Sequence, residues 1–216
     1  MSAMRVSPFH GAPAVRDAHW SERNGMPVAF HLGDDDFARA SILGLVDLSH
    51  LARTGFKGPG AAGWLEGLGF DLPPPNGWKP STAGGLIARL ATSEFFVEDV
   101  TGTGTVATID RELAQLAEGV YPVPRQDAAL ALTGSRVNEL LVQTCNVNFL
   151  DIGEQAVVMT LMIGVAVLVV RQTIGGLGCH RVWCDPSFAP YLWNTLTEIA
   201  GELGGGPVGA RVLVER

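Results

Sequence analysis

Two stretches decide the reading of this chain: TGFKGPGAAGWL (54–65) and ALALTGSRVNEL (129–140). Each runs into a glycine, Gly58 or Gly134, and carries a large apolar residue six positions later, Trp64 or Leu140. A strand that turns a corner into a helix has this form, because glycine tolerates the crowded or left-handed backbone of such a corner. Pro59 suits a first helical turn, where its missing N–H is not needed. Ser135 is placed to cap the second helix.

Working outward, LVDLSHLARTGF (45–56) alternates like a half-buried strand or hairpin, and FDLPPPNGWKP (70–80) reads as a rigid loop. LIARL and EFFVED (86–99) predict a strand pair, and ATIDRELAQLAEG (107–119) a helix burying Ile109, Leu113 and Leu116. In the second half VVMTLM, VAVLVV and HRVWC predict strands. FAPYLWNTLTEIAGEL (188–203) then predicts a helix striped by Leu192, Leu196, Ile199 and Leu203. Gly204-Gly205-Gly206-Pro207 stops it, and ARVLVE (210–215) reads as a last strand. The repeated order predicts an α+β chain of two fused ferredoxin-like βαββαβ repeats, since strands joined by short turns pair antiparallel. The expected division is an extended arm over 1–26, a first repeat over 27–120 and a second over 121–216. The arm shows no period; it either wraps the body or docks on a partner.

With 216 residues, 47% of them apolar and 17% charged, the chain can bury a core without disulfide staples. Three cysteines fit a reducing cytoplasm. A net charge of −7 argues against a nucleic-acid partner. The most apolar run, 156–170, is shorter than the ~20 residues that cross a bilayer, and reads as two buried strands meeting at Gly164. The first residues lack the apolar core of a signal peptide. The expectation is a cytoplasmic protein without a membrane partner.

The chemistry-bearing residues form no self-evident constellation. TGTGT (101–105) and IGGLG (174–178) match no phosphate loop and read as turns. Cys179, His180, Cys184 and Asp185 lack the second ligand pair of a structural zinc site. The odd offset also sends Cys179 and Cys184 to opposite faces of a strand, so buried thiols are expected and no metal. His50 and His180 stand in unrelated contexts, and no G-x-S-x-G occurs. Asp34-Asp35-Asp36 suits a turn or a helix N-terminus. Trp183, Tyr191 and Trp193 suit core packing or an aromatic interface, and Arg125, Arg171 and Arg181 suit either an anion or salt bridges.

VDLSHLARTGFKGPGAAGWL, with Asp47, Ser49, His50, Gly58, Pro59 and Ala61, resembles the D-[VL]-S-H-[ML]…G-P-x-A motif of the aminomethyltransferase superfamily, which includes the glycine-cleavage T-protein. DAALALTGSRVNELL resembles that family's second-repeat motif, and GPVGARVLVE its C-terminal strand. Within the superfamily, YPVPRQDAALALTG, VVMTLMIGVAVLVVRQ and DPSFAPYLWNTL are similar to the γ subunits of heterotetrameric sarcosine oxidases. The resemblance implies a folate-binding fold holding a pterin between its repeats, without the C-terminal barrel of full-length members. It implies Asp99 near the pterin, and Arg171, Arg181, Trp183 and Glu215 as further folate-binding residues.

The R-T-G-Y-T-G-E loop of the family survives only as Arg171 and Thr173, and Glu215 stands four residues after Arg211, two short of the family's spacing. The resemblance thus points to a γ-like, noncatalytic subunit of a sarcosine oxidase-type N-methyl amine oxidase that supports structure or a folate channel. Its partners would be α, β and δ-like subunits carrying flavin and NAD, and tetrahydrofolate is the cofactor the fold offers this chain. Two other readings are a free-standing tetrahydrofolate-binding aminomethyltransferase-like protein and a ligand-free scaffold, a homodimer when isolated.

Overall fold

Both corner glycines turn as their context predicts. Gly58 has φ +130° and Gly134 has φ +108°. A Cβ on Gly58 would lie 2.2 Å from the Gly119 carbonyl oxygen, and one on Gly134 2.4 Å from that of Ile42. The computed structural model describes residues 5–81, 85–100 and 104–214. Before Gly58 runs β4 (Arg53–Lys57) and after it α2 (Ala61–Gly67); before Gly134 runs β9 (Ala128–Thr133) and after it α4 (Val137–Thr144).

The first repeat continues through β5 (Gly77–Pro80), β6 (Leu86–Ala91), β7 (Glu94–Glu98), α3 (Thr105–Leu113) and β8 (Tyr121–Pro122). The second continues through β10 (Val157–Met162), β11 (Val165–Ile174), β12 (Leu177–Cys184), α5 (Ala189–Glu202) and β13 (Gly206–Pro207). The sheet orders are β5-β6-β7-β4-β8 and β10-β11-β12-β9-β3-β13, where β3 is Gly44–Asp47. The chain is therefore α+β with an internal repeat: each half folds a three-stranded meander back beside its own first strand.

β5 emerges from the segment the sequence assigns to a rigid loop, tied in by the Trp78 N–H to the Gln155 carbonyl at 2.9 Å. The 45–56 stretch does not form a hairpin. It supplies β3 to one sheet and β4 to the other. β3 lies between β9, which it pairs antiparallel, and β13, which it pairs parallel.

The chain packs as two units, Met1–His50 with Asp127–Glu154 and Val158–Arg216, and Leu51–Gln126 with Gln155–Val157. Residues 27–50, which the sequence groups with the first repeat, thus pack with the second. In the first unit Leu45, Leu130, Leu132, Val169 and Val182 form a core with Leu140, Trp193 and Leu196 from α4 and α5. In the second, Phe56, Ile87, Phe95 and Val97 meet Leu65 of α2 and Ile109 and Leu113 of α3. Burying each such side chain stabilises by about 1.5–3 kcal/mol.

The N-terminal stretch is structured. β1 (His19–Arg23) and β2 (Met26–His31) form a hairpin over Asn24-Gly25, whose φ values of 49° and 68° suit a two-residue turn. Phe9 is buried and stacks on Trp193 at 4.7 Å between ring centroids, so the arm wraps its own unit. α1 (Asp36–Leu43) starts at the acidic run. The expected last strand is instead a 3₁₀ turn, Ala210–Leu213, that buries Val212 and Leu213. Leu116 lies beyond the end of α3, 87% exposed with φ 54°, rather than in the core. Ser135 does not cap α4; Arg136 holds that position, and its Nη1 donates to the Leu203 carbonyl at 2.8 Å.

Candidate functional site

The six-stranded sheet has one apolar face and one mixed face. Strand alternation turns Leu130, Leu132, Val182 and Cys184 to the side covered by α4 and α5, and Ala129, Ala131, Thr133, Cys179, Arg181 and Trp183 to the other. On this mixed face Arg181 is only 1% exposed. Burying a guanidinium requires compensating partners. The Arg181 Nη1 donates to Gln172 Oε1 at 3.0 Å, and its guanidinium stacks 4.9 Å from the Trp183 ring. Ala131 stands opposite Arg181 and Ala129 opposite Trp183, so small residues on β9 leave room for the two large side chains.

Arg181 and Trp183, both expected site residues, are therefore brought together. Arg171 is not with them. It pairs with His180, and so points to the opposite face from Arg181. There burial, helped by the Arg171 charge, pushes the His180 imidazole down to about 4, and its ring stands edge-on to Phe149 at 5.6 Å. Arg171 and Arg181 cannot grip one anion from opposite sides of a sheet.

The thiols are on opposite faces as the offset predicts. Burial pushes Cys179 up to about 11, against the opposing pull of Arg181, and Cys184 also up to about 11. Such thiols stay protonated and unreactive at neutral pH. Among the described residues no group of three His, Cys, Asp or Glu collects where a metal could sit. The D-L-S-H phrase is a latch. Asp47 Oδ1 accepts from the Ser49 N–H at 2.9 Å, Asp47 Oδ2 from Ser7 Oγ at 2.5 Å, and Ser49 Oγ from the Ala129 N–H at 3.1 Å.

In the second unit Asp99 follows β7 and is buried. Its Oδ2 accepts from the Val106 N–H at 2.9 Å, tying down the first turn of α3, while its Oδ1 has no hydrogen-bond partner among the described residues. Beside it, Arg53 Nε and Glu98 Oε2 form a buried ion pair at 2.9 Å across β4 and β7. Arg125 lies over Phe96, 5.6 Å from the ring centroid, and its Nη2 donates to Glu94 Oε1 at 2.9 Å. A Cβ on Gly55 would approach Arg125 Nε to 2.9 Å, so the glycine admits the guanidinium. Sequence reasoning missed Arg53, Glu98 and Gln172. The signal for the first two was a charge at either end of an otherwise apolar alternation. Glu215 lies outside the described residues. A surface cavity of about 270 Å³ lined by His10, Arg16 and Trp20 contains none of the expected folate residues.

No protein-family profile matches the chain. It is 24% identical over 226 residues to an aminomethyltransferase from Moorella thermoacetica, across 97% of this chain and 62% of that protein. The glycine cleavage system aminomethyltransferase T from Bartonella henselae superposes with a TM-score of 0.78 at 15% identity, over 97% of this chain and 61% of that one. The chain has the fold of the glycine cleavage T-protein. This T-protein-like chain spans about three-fifths of the length of those two proteins. A chain of the heterotetrameric sarcosine oxidase from Corynebacterium sp. U-96, solved with pyrrole 2-carboxylate, superposes with a TM-score of 0.67 at 18% identity, over 95% of this chain and 100% of that one. No helix among the described residues is long and apolar enough to cross a membrane.

Proposed function

We propose that this T-protein-like chain is a γ-like subunit of a heteromeric sarcosine oxidase-type N-methyl amine oxidase, holding structure and a folate path rather than performing chemistry. The observation that supports this is the likeness to a chain of a heterotetrameric sarcosine oxidase, which superposes over 95% of this chain with a TM-score of 0.67. The residues favour the same reading. The polar side chains of the first unit's mixed face are largely spent on one another, as with Arg181 on Gln172 and Trp183. Flavin and NAD would then belong to the partner chains, in a cytoplasmic complex. Co-expression with the flavoprotein subunits of such an oxidase from the same genome is expected to yield a complex that survives size-exclusion chromatography. Separate elution of every subunit would overturn the proposal.

A second reading, a free-standing tetrahydrofolate-binding protein, rests on Asp99. A buried carboxylate oxygen without a hydrogen-bond partner among the described residues suits the N–H donors of a pterin, and Asp99 would hold that ring while its other oxygen stays on the Val106 N–H. Tetrahydrofolate itself would supply the one-carbon acceptor chemistry. Calorimetry with tetrahydrofolate tests this reading: saturable heat that weakens at least tenfold in Asp99→Ala supports it, and no heat at millimolar ligand ends it.

A further inference from the structure

Most arginines of this chain are held by other residues of the chain. Arg39, Arg125 and Arg136 donate to carboxylates, and Arg89 and Arg211 to backbone carbonyls. The Arg16 guanidinium has no hydrogen bond or ion pair among the described residues. It lines the surface cavity of about 270 Å³ together with His10, Gly11, Ala12 and Trp20. The His10 imidazole and the Trp20 indole N–H have no hydrogen-bond partner among the described residues either. Nor has the Gly11 N–H, which lies between the bonded amides of His10 and Ala12. Asp17, next to Arg16 in sequence, is exposed and does not line the cavity, and no other carboxylate among the described residues does. On a chain of net charge −7, this cavity gathers donors and a cation without an acceptor.

Two rings complete the wall. His10 and Trp20 pack with their centroids 4.5 Å apart at 51°, and Trp20 stays 38% exposed. The arm that carries His10 and Arg16 is fixed in place. Phe9 is stacked on Trp193, the His10 and Ala12 N–H groups donate to the Ser7 and Phe9 carbonyls at 3.0 Å, and the 3₁₀ turn Pro13–Val15 buries Val15. Donors on an anchored backbone lose little freedom when a ligand arrives. The guanidinium fork matches a carboxylate with two parallel bonds, and the ring faces offer a flat apolar body a surface to lie on. Drug-sized pockets run from about 300 to about 1,000 Å³, so this smaller one suits a ligand of a single ring.

We propose that the cavity between the N-terminal arm and β1 binds a small planar carboxylate, with the carboxylate on the Arg16 guanidinium and the ring against His10 and Trp20. The site lies wholly within the first unit and is independent of the subunit reading. An exposed guanidinium keeps part of its hydration, so the expected affinity is millimolar.

The test is a titration of the full nitrogen-15-labelled chain with benzoate at constant pH, followed on the Trp20 indole N–H resonance, which is assigned by its absence from Trp20→Phe. A saturable shift is expected, with affinity at least tenfold weaker in Arg16→Gln and at least threefold weaker in His10→Ala. Arg111→Gln, which removes the same charge from the last turn of α3, should bind as wild type. Benzyl alcohol, a ring without the charge, should give no saturable shift, and acetate, the charge without a ring, should bind at least threefold more weakly than benzoate. Arg16 and His10 are exposed, so both variants should melt near wild type. If one of them loses its melting transition, the other decides. Absence of a saturable benzoate shift overturns the proposal, as does unchanged affinity in either folded variant. Benzyl alcohol or acetate binding as tightly as benzoate, or a loss in Arg111→Gln equal to that in Arg16→Gln, overturns it too.

Discussion

Arg53 and Glu98 show how much a single buried pair decides. Both side chains are almost fully buried and meet at 2.9 Å. Replacing one partner strands the other in a dry environment, so Arg53→Met is expected to cost about 3–5 kcal/mol, and Arg53→Met with Glu98→Leu to recover most of it. Urea midpoints of the two variants are the check. His180 makes a second residue-level prediction. Burial holds its imidazole near 4 in the folded chain, against 6.5 when unfolded. Below pH 6.5 the unfolded chain takes up a proton that the folded chain refuses, so stability falls between pH 6.5 and 4 by up to about 1.4 kcal/mol per unit. Above pH 6.5 this group has no effect. In His180→Phe the decline over that interval should flatten, measured as the difference in urea midpoint from wild type. At this scale the sequence was a partial guide. Arg181 and Trp183 are adjacent odd positions on one strand and their union follows from alternation, whereas the separation of Arg171 depends on register with β12, which no local pattern encodes.

Among the elements, the corners and helices were the legible part, because Gly58 and Gly134 each stand where another backbone leaves no room for a Cβ. The hairpin β1–β2 had its signal too, Asn24-Gly25, but HWSER has no alternation of apolar and polar residues to flank it. The misreading of ARVLVE has a physical cause. Its alternation is that of a strand, yet Arg211 is held by Asp36 at 3.1 Å and by the Gly33 carbonyl at 2.8 Å, which winds the segment into a turn against α1. The arm also depends on tertiary contact. Phe9 belongs to no strand or helix, and its worth lies in the stack on Trp193. Phe9→Ala is expected to cost about 3 kcal/mol and to expose Trp193, seen as a red shift in its emission. A wild-type midpoint in that variant would mean the arm contributes nothing to the unit's stability.

For the whole molecule, the repeat in the sequence and the units in the fold divide the chain differently. The repeat is a pattern of local elements and can be read from glycine corners and periodicity. The units depend on which strand β3 pairs with, a choice made between residues more than 80 positions apart, as with Val46 and Ala131. A fragment covering residues 127–216 alone lacks β3 from between β9 and β13, and is expected to be unfolded by circular dichroism. Adding residues 5–50 as a separate peptide should restore strand signal. A fragment that folds without the peptide would show β3 to be dispensable.

The position of β3 has a consequence during synthesis. One unit is inserted in the sequence of the other, so Leu51–Gln126 leaves the ribosome with nearly all its own contacts available. β3 emerges before that unit, but its neighbours do not yet exist. β3 must wait for β9, and then for Gly206–Pro207 to close its second side. At about 5–20 residues per second, that is on the order of ten seconds or more with an apolar strand unpaired. A strand made before its partners is thus among the last to settle, and a chaperone binding the nascent chain would find its site there.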